Sequence, residues 1–106
     1  MDGEATSKNT RKKRALSIKC TDTLTIALVR EYHEKLGRAL SEERAVVIEA
    51  AAVERIDAAM LQLFCAFRFA AQEQGLSMRW KDVSETIDSS ARLLGIHGAL
   101  GLEEAA

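Results

Sequence analysis

Few residues in this chain of 106 have the types and spacing that chemistry requires. Cys20 and Cys65 form no Cys-x-x-Cys pair and stand in apolar surroundings, which indicates two reduced core thiols rather than a disulfide. His33 and His97 have no metal-ligand spacing to Cys, Asp or Glu, so we predict no metal site. The sequence contains no glycine-rich phosphate loop, no dinucleotide fingerprint and no Ser-His-Asp order. An enzyme that uses Asp57 or Cys65 is a disfavoured alternative, because Cys65 falls inside a predicted helix far from a base. We therefore expect no enzymatic activity and no cofactor.

The acidic residue with the most informative position is Asp57. It follows a short β-branched run, Val46–Ile48, which is typical of a central strand covered on both faces. A long helical pattern begins directly after it, so Asp57 is placed as a helix N-cap, and we expect its carboxylate to accept the backbone N–H of Met60. Ala58 then falls in the first helical turn, where free N–H groups and the helix dipole favour an anion.

The elements around this junction alternate between strand and helix patterns. Apolar alternation from Leu16 to Cys20 predicts a half-buried strand, and residues 24–26 a second short one. Helices are predicted over residues 27–40, from Asp57 to about residue 74, and from a Ser84 N-cap to Leu94, with Gly75 and Gly95 as stops. Further strands are expected at 45–48 and 76–80, followed by a short apolar finish over 96–102. This order indicates an α/β domain with a largely parallel sheet.

Length and charge bound the function further. The net charge of −1 gives no overall bias toward nucleic acid. No apolar run approaches the roughly 20 residues that cross a bilayer, and the first ten residues lack the apolar core of a signal peptide. We therefore expect a cytoplasmic protein. Residues 1–14 are polar and end in a basic run, Arg11–Arg14, which predicts a flexible N-terminal tail ahead of a single domain over residues 15–106. That run could touch nucleic acid or anionic lipid, but a solvated tail is favoured and no nucleic-acid partner is expected.

Four features after the tail resemble, in their order and spacing, the STAS domain of bacterial anti-sigma-factor antagonists. They are residues 24–26 leading into the first helix, the segment from Val46 to Asp57, the long helix that Gly75 ends, and a strand followed by Val83–Ser84 and the ending Ala91–Ile96. The resemblance implies a small mixed, largely parallel sheet of about four to five strands packed by three to four helices. It also implies a regulatory module that binds a protein partner without chemistry of its own.

In the family that the chain resembles, the residue after the Asp is usually Ser or Thr and is often a phosphorylation switch. Here it is Ala58, which has no oxygen to accept a phosphoryl group. Either the protein binds its partner constitutively, or its control lies elsewhere, or Ala58 was introduced to lock the unmodified state. The run Ile87–Ala91 contains Asp-Ser-Ser, but it lies inside the third predicted helix and does not occupy the switch position.

The resemblance places the partner surface at the turn before the second helix and on its first exposed turns. The candidate residues are Arg55, Asp57, Ala58, Gln62 and Phe69. Phe69 is the ambiguous member, since it could equally tuck under a neighbouring helix. The implied partner is an anti-sigma-type kinase, and the alternative is the ATPase of a lipid-transport ABC system, which such STAS chains also serve as cytoplasmic subunits. For the core we expect Leu61, Phe64, Phe67 and Ala71 to face the sheet, with Ile48 and Leu94 also buried.

Overall fold

The computed structural model describes residues 14–104. The predicted flexible tail lies almost wholly outside the described residues and stays a prediction. The strands are β1 (Leu16–Lys19), β2 (Thr23–Leu24), β3 (Val46–Glu49), β4 (Arg55–Ile56) and β5 (Met78–Lys81). The helices are α1 (Val29–Ser41), α2 (Ala58–Glu73), α3 (Glu85–Leu93) and the short α4 (His97–Leu100), with 3-10 turns at Ile26–Leu28 and Leu102–Glu104. The predicted α/β class is confirmed.

The described strands form two groups, and each of their pairings is parallel. The larger is a three-stranded sheet in the order β1-β3-β5, in which Ile18, Ile48 and Trp80 lie side by side. The smaller joins β2 to β4 and pairs Leu24 with Ile56. The expected strand over 24–26 is shorter than predicted, because the chain turns into the 3-10 turn at Ile26.

Strand alternation and helix periodicity meet in one core. Phe64 of α2 is fully buried, and its ring packs edge-on against Tyr32 of α1 and Trp80 of β5, with ring centroids 6.1 and 5.2 Å apart. Ile48 is also fully buried, as predicted. The expectation for Leu94 is wrong, since this side chain is 49% exposed. The helix α3 ends at Leu93, so the turn at Leu94 leaves the inner face that Ile87 and Ala91 bury.

The helix ends follow the residue types that the sequence provides. The Ser84 Oγ accepts a hydrogen bond from the Ile87 N–H at 3.3 Å, which confirms the predicted cap of α3. Gly75 and Gly95 follow α2 and α3 with φ angles of +74° and +75°, a conformation that glycine adopts at little cost. Both predicted stops are therefore confirmed.

The C-terminal segment, residues 97–104, packs against α2, α3 and β5. The indole N–H of Trp80 donates to the Leu100 carbonyl at 2.8 Å, and the Arg68 guanidinium donates to the Ala99 carbonyl at 3.2 Å. Arg68 lies so close to Gly101 that a Cβ there would stand 2.6 Å from its Nε. These contacts fix the end of the described chain beside α2.

Candidate functional site

The junction between β4 and α2 is built around Asp57. Its backbone N–H donates to the Leu24 carbonyl at 2.9 Å, and its carboxylate Oδ2 accepts the Ile26 N–H at 2.9 Å. The pairing of β2 with β4 ends at Leu24 and Ile56. Just beyond it, the Asp57 carboxylate accepts the hydrogen bond of the Ile26 N–H. Asp57 therefore connects the start of α2 to the 3-10 turn that precedes α1.

The predicted helix cap by the Asp57 side chain is wrong. Asp57 has the extended backbone of an N-cap residue, with φ −83° and ψ 153°, but its side chain accepts no hydrogen bond from the first turn of α2. The Met60 and Leu61 N–H groups donate instead to the Asp57 backbone carbonyl, at 3.0 and 3.2 Å. The Asp57 carboxylate is hydrogen-bonded to the Ile26 N–H and not to the first turn of α2.

The turn that Asp57 holds presents an exposed apolar side chain. Ile26 begins the 3-10 turn Ile26–Leu28, which packs against α2, and its side chain is 68% exposed. Ile26 was not among the residues that the sequence pattern predicts for a site, because its alternation with Leu24 is typical of a strand.

The outward face of α2 continues from this turn. Met60, Leu61, Phe64, Phe67 and Ala71 are buried, and this confirms the predicted inner face. Gln62 and Phe69 follow Ala58 by about one and about three helical turns, so these three lie on one outward stripe roughly 16 Å long. All three are exposed. Phe69 is 66% exposed, so it does not tuck under a neighbouring helix.

The structure places Arg55, Asp57 and Ala58 at the β4–α2 junction, and Gln62 and Phe69 farther along the outward stripe of α2. Ile26 is an addition at the junction, where its N–H donates to Asp57. Arg55 of β4 is exposed and stands two residues before Asp57, on the same side of the strand. We call this set the α2 surface: Ile26, Arg55, Asp57, Ala58, Gln62 and Phe69. It joins two exposed apolar side chains to a half-buried acid and an exposed base.

A shallow apolar groove runs between α1 and α2 beside this surface. It has a volume of about 170 Å³, and its walls are His33, Leu36, Gly37, Leu40, Leu63, Ala66, Phe67 and Ala70. The groove is open to solvent at Gly37, where a Cβ would meet no atom within 4 Å. Ala66 is exposed and lies one turn from Gln62, so the groove adjoins the α2 surface.

The comparison with known families decides the identity of this fold. A family model described as "Mlab, STAS domain" matches residues 8–104. This chain belongs to the STAS domain family. No curated protein matches the sequence closely enough to count as a relative. STAS domains generally mediate protein–protein interactions.

The thiols of this STAS domain are poor nucleophiles. Burial raises the pKa of Cys20 to about 11, against the weaker opposing effect of its hydrogen bond with Tyr32, and burial also raises the pKa of the half-buried Cys65. Since the thiolate is the reactive form, both thiols stay protonated near neutral pH. Both are free cysteines.

One cluster of charged side chains was missed by the sequence analysis. His97 Nε2 lies 2.7 Å from Asp88 Oδ1, Arg92 Nε lies 2.9 Å from Asp88 Oδ2, and Glu103 Oε1 lies 4.0 Å from His97 Nδ1. The hydrogen bonds from Arg92 and His97 lower the pKa of Asp88. Within residues 14–104, no group of three or more His, Cys, Asp and Glu side chains could hold a metal ion. The cluster links α3 to the C-terminal segment.

None of the helices described between residues 14 and 104 has the length and apolar character needed to cross a membrane.

Proposed function

We propose that this STAS domain is a regulatory module that binds a cytoplasmic signalling protein of the anti-sigma-kinase type through the α2 surface. It acts by binding alone and catalyses no reaction. The observation that carries the proposal is the exposure of two apolar side chains, Ile26 at 68% and Phe69 at 66%. Ile26 lies on the turn that Asp57 holds at the start of α2, and Phe69 lies at the far end of the outward stripe. Apolar side chains of this kind, flanked by polar residues, mark protein-binding sites.

The geometry supports a preformed contact. Asp57 fixes the Ile26 turn to the start of α2, so the apolar side chain is held where a partner meets it. The core beneath is well packed, with Phe64 enclosed by Tyr32 and Trp80. A surface held by a rigid element loses little freedom on binding, which favours affinity.

The same contact lacks the family's usual control by phosphate. Ala58 occupies the first turn of α2 and is exposed, so a kinase would reach the position but find no hydroxyl. A phosphate there would add roughly two negative charges at the centre of the α2 surface. We infer that partner binding is constitutive with respect to position 58.

The test begins with affinity capture from the source cell and continues with purified partner and variants. Phe69→Ser and Gln62→Lys should weaken binding at least tenfold, because each alters a side chain of the α2 surface that the partner would cover. Leu93→Ser is the matched control, since Leu93 is 87% exposed on α3 and lies outside the α2 surface. Equal losses for Phe69→Ser and Leu93→Ser would contradict the proposed surface.

The identity of the captured protein separates the two partner classes that the family resemblance implies. An anti-sigma-type kinase supports the first proposal. The alternative is the ATPase subunit of a lipid-transport ABC system, and its recovery would make the chain a cytoplasmic subunit of such a transporter. The α2 surface serves either partner, so the variants test the surface and the capture tests the partner.

A further inference from the structure

The three-stranded sheet has one edge at β1. In the part of the chain that the structure describes, β1 pairs with β3 and has no strand on its other side. The Leu16 N–H donates to the Ala45 carbonyl at 2.8 Å, so Leu16 turns its backbone groups toward β3. Because these groups alternate along a strand, the N–H and C=O groups of Ser17 and Lys19 point outward from the sheet. A strand edge of this kind is a template for pairing with another chain.

The surroundings of the two sheet edges differ. The C-terminal segment packs against β5, and the Trp80 indole N–H donates to the Leu100 carbonyl at 2.8 Å. Beside β1 there is instead a cleft of about 400 Å³ between this strand and α1. We call it the β1–α1 cleft. It is lined by β1 itself and by four exposed residues of α1, which are Glu31, Glu34, Lys35 and Arg38.

The four charged residues of α1 follow an order that is complementary to itself. The acids Glu31 and Glu34 come first, and the bases Lys35 and Arg38 follow. In two copies of α1 that run antiparallel about the midpoint of this set, Glu31 of each copy lies opposite Arg38 of the other. The same arrangement places Glu34 opposite Lys35. A two-fold axis repeats each contact, so every acid of the set faces a base.

Only part of this charge is matched within one copy. Lys35 Nζ lies 3.2 Å from Glu31 Oε2, one helical turn away. Among residues 14–104, no ion pair engages Glu34 or Arg38. An antiparallel second copy supplies an opposite charge to both.

We propose that this STAS domain forms a two-fold symmetric dimer through the β1 edge, with its two α1 helices antiparallel and side by side. The register that keeps every pair within β1 places Ser17 opposite Lys19 of the second copy. These residues exchange N–H···O bonds in both directions, and symmetry doubles them, so the edge gains four hydrogen bonds. The two sheets become one sheet of six strands. Neighbouring helices pack about 8–10 Å apart, a distance that Glu and Arg side chains span together.

The charge order favours a second copy over an unrelated extended peptide as the occupant. A peptide that adds to a strand edge uses the backbone groups of that edge and places no demand on the charges of α1. A ligand with charge of one sign is disfavoured as well, because the β1–α1 cleft holds two acids and, with Lys19, three bases. A second copy matches the edge and the charges of α1 together.

The proposed dimer leaves the α2 surface uncovered. None of the six residues of the α2 surface lines the β1–α1 cleft. A dimer joined along β1 therefore carries two α2 surfaces and can hold two partner molecules. The inference does not depend on the proposed function, because dimerisation is measured without any partner.

The first test is sedimentation velocity of the full chain, at concentrations from about 1 μM to about 1 mM. We expect a reversible change from monomer to dimer within this range, because the contact adds four hydrogen bonds and four ion pairs to a small interface. A chain that stays monomeric throughout, or that forms only larger assemblies, would overturn the proposal.

Two charge variants locate the contact. Glu31→Lys with Glu34→Lys makes the α1 wall of the cleft cationic, and Lys35→Glu with Arg38→Glu makes it acidic. Each variant alone should raise the dissociation constant of the dimer at least about 100-fold, because four attractive pairs become repulsive. An equimolar mixture of the two should dimerise again. A variant that dimerises alone as tightly as the parent would contradict the proposed contact.

The control for the cationic variant is Glu54→Lys with Glu73→Lys. It changes the net charge equally at two exposed positions outside the β1–α1 cleft, so its dissociation constant should stay within about threefold of the parent value. Equal weakening by both variants would reject the contact in favour of a general effect of charge. Because all the altered residues are exposed, the unfolding transitions should match that of the parent.

A second pair of variants tests the antiparallel register at constant net charge. Glu31→Arg with Arg38→Glu reverses both members of each predicted pair and should dimerise about as tightly as the parent. Glu31→Arg with Lys35→Glu reverses one member of every pair and should weaken the dimer at least about 100-fold. The weaker variant still keeps the pair between residues 31 and 35 within the helix, so its loss cannot come from that pair. Equal dissociation constants for the two variants would refute the register.

Amide hydrogen exchange identifies what covers the β1 edge. The Ser17 and Lys19 amides point outward in the monomer, so their exchange should slow as the protein concentration rises and the dimer forms. Protection that does not change with concentration would mean that another segment of the same chain covers the edge, and this would reject the dimer. Fast exchange at every concentration, with dimers present, would place the contact elsewhere on the domain.

Discussion

Substitutions at Asp57 test whether this carboxylate clamps a distant turn or caps its own helix. In the structure Oδ2 accepts the Ile26 N–H across 31 residues of sequence, and the first turn of α2 takes only the backbone carbonyl. Asp57→Ala removes the acceptor and leaves the helix start intact. Asp57→Asn keeps an acceptor oxygen without the charge. Asp57→Ser keeps a good helix-capping side chain that is too short to reach Ile26.

The expected magnitudes follow from the hydrogen bond. A hydrogen bond to a charged group contributes about 1.5–3 kcal/mol, and solvent at this exposed site favours the lower end. Asp57→Ala should therefore lower the free energy of unfolding by about 1–2 kcal/mol, or the melting temperature by roughly 4–12 °C in a domain of this size. Asp57→Asn should lose about half as much, because a neutral hydrogen bond contributes about 0.5–1.5 kcal/mol.

Urea unfolding measures these differences, and amide hydrogen exchange decides between the two roles. In all three variants the Ile26 amide should exchange at least as fast as in the parent, and its exchange rate should increase in the order Asn, Ser, Ala. The Met60 amide should stay protected, because it donates to the Asp57 backbone carbonyl. Protection lost at Met60 and kept at Ile26 would refute the clamp. In that case Asp57→Ser would also be as stable as the parent.

Three further predictions probe the core, the switch position and the C-terminal cluster. In urea unfolding, Phe64→Ala should lower the free energy of unfolding by about 3–5 kcal/mol, and Leu94→Ala should lower it by under about 1 kcal/mol. Equal losses would mean that the burial of the two side chains is misassigned. The parent protein should take up no phosphate at position 58 from a cognate kinase and ATP, because Ala58 has no hydroxyl. Ala58→Glu should fold, with a dipole gain of about 0.3–1 kcal/mol, and should lose partner binding; retained binding would place position 58 outside the contact. Asp88→Asn should destabilise the protein most above about pH 4, the ordinary value for Asp, and progressively less as the pH falls below it. The reason is that Arg92 and His97 lower the pKa of Asp88 in the folded state, so its stabilising effect is lost as pH falls through that lowered value. A difference in unfolding free energy between parent and variant that stayed constant across this range would contradict the prediction.

The frame of the fold was predictable because its signals are local. Val46–Ile48 is a β-branched run, α2 repeats apolar residues at helical spacing, and Gly75 and Gly95 stand where the helices stop. The inner face of α2 follows from the same periodicity, and Phe64 is buried where it was expected.

The errors arose where a residue's environment depends on distant parts of the chain. The partner of Asp57 is 31 residues away, so the local capping rule indicated the wrong hydrogen bond. Leu94 stands seven residues after Ile87 and would share its buried face in a longer helix, but α3 ends one residue earlier. His97 meets Asp88 only because the turn at Gly95 folds α4 back on α3.

The residue at position 58 is not dictated by packing. Ala58 is exposed in the first turn of α2, and the nearby core is filled by the buried side chains of Met60 and Leu61. Serine differs from alanine there by one solvent-facing hydroxyl and by a helix propensity of at most about 0.7 kcal/mol. The fold would accept either residue, so folding does not explain why this STAS domain has Ala58 where the family usually has Ser or Thr. What distinguishes the two side chains at this site is the ability to accept a phosphoryl group, so the proposed partner contact would differ between them only in whether a kinase could modify it.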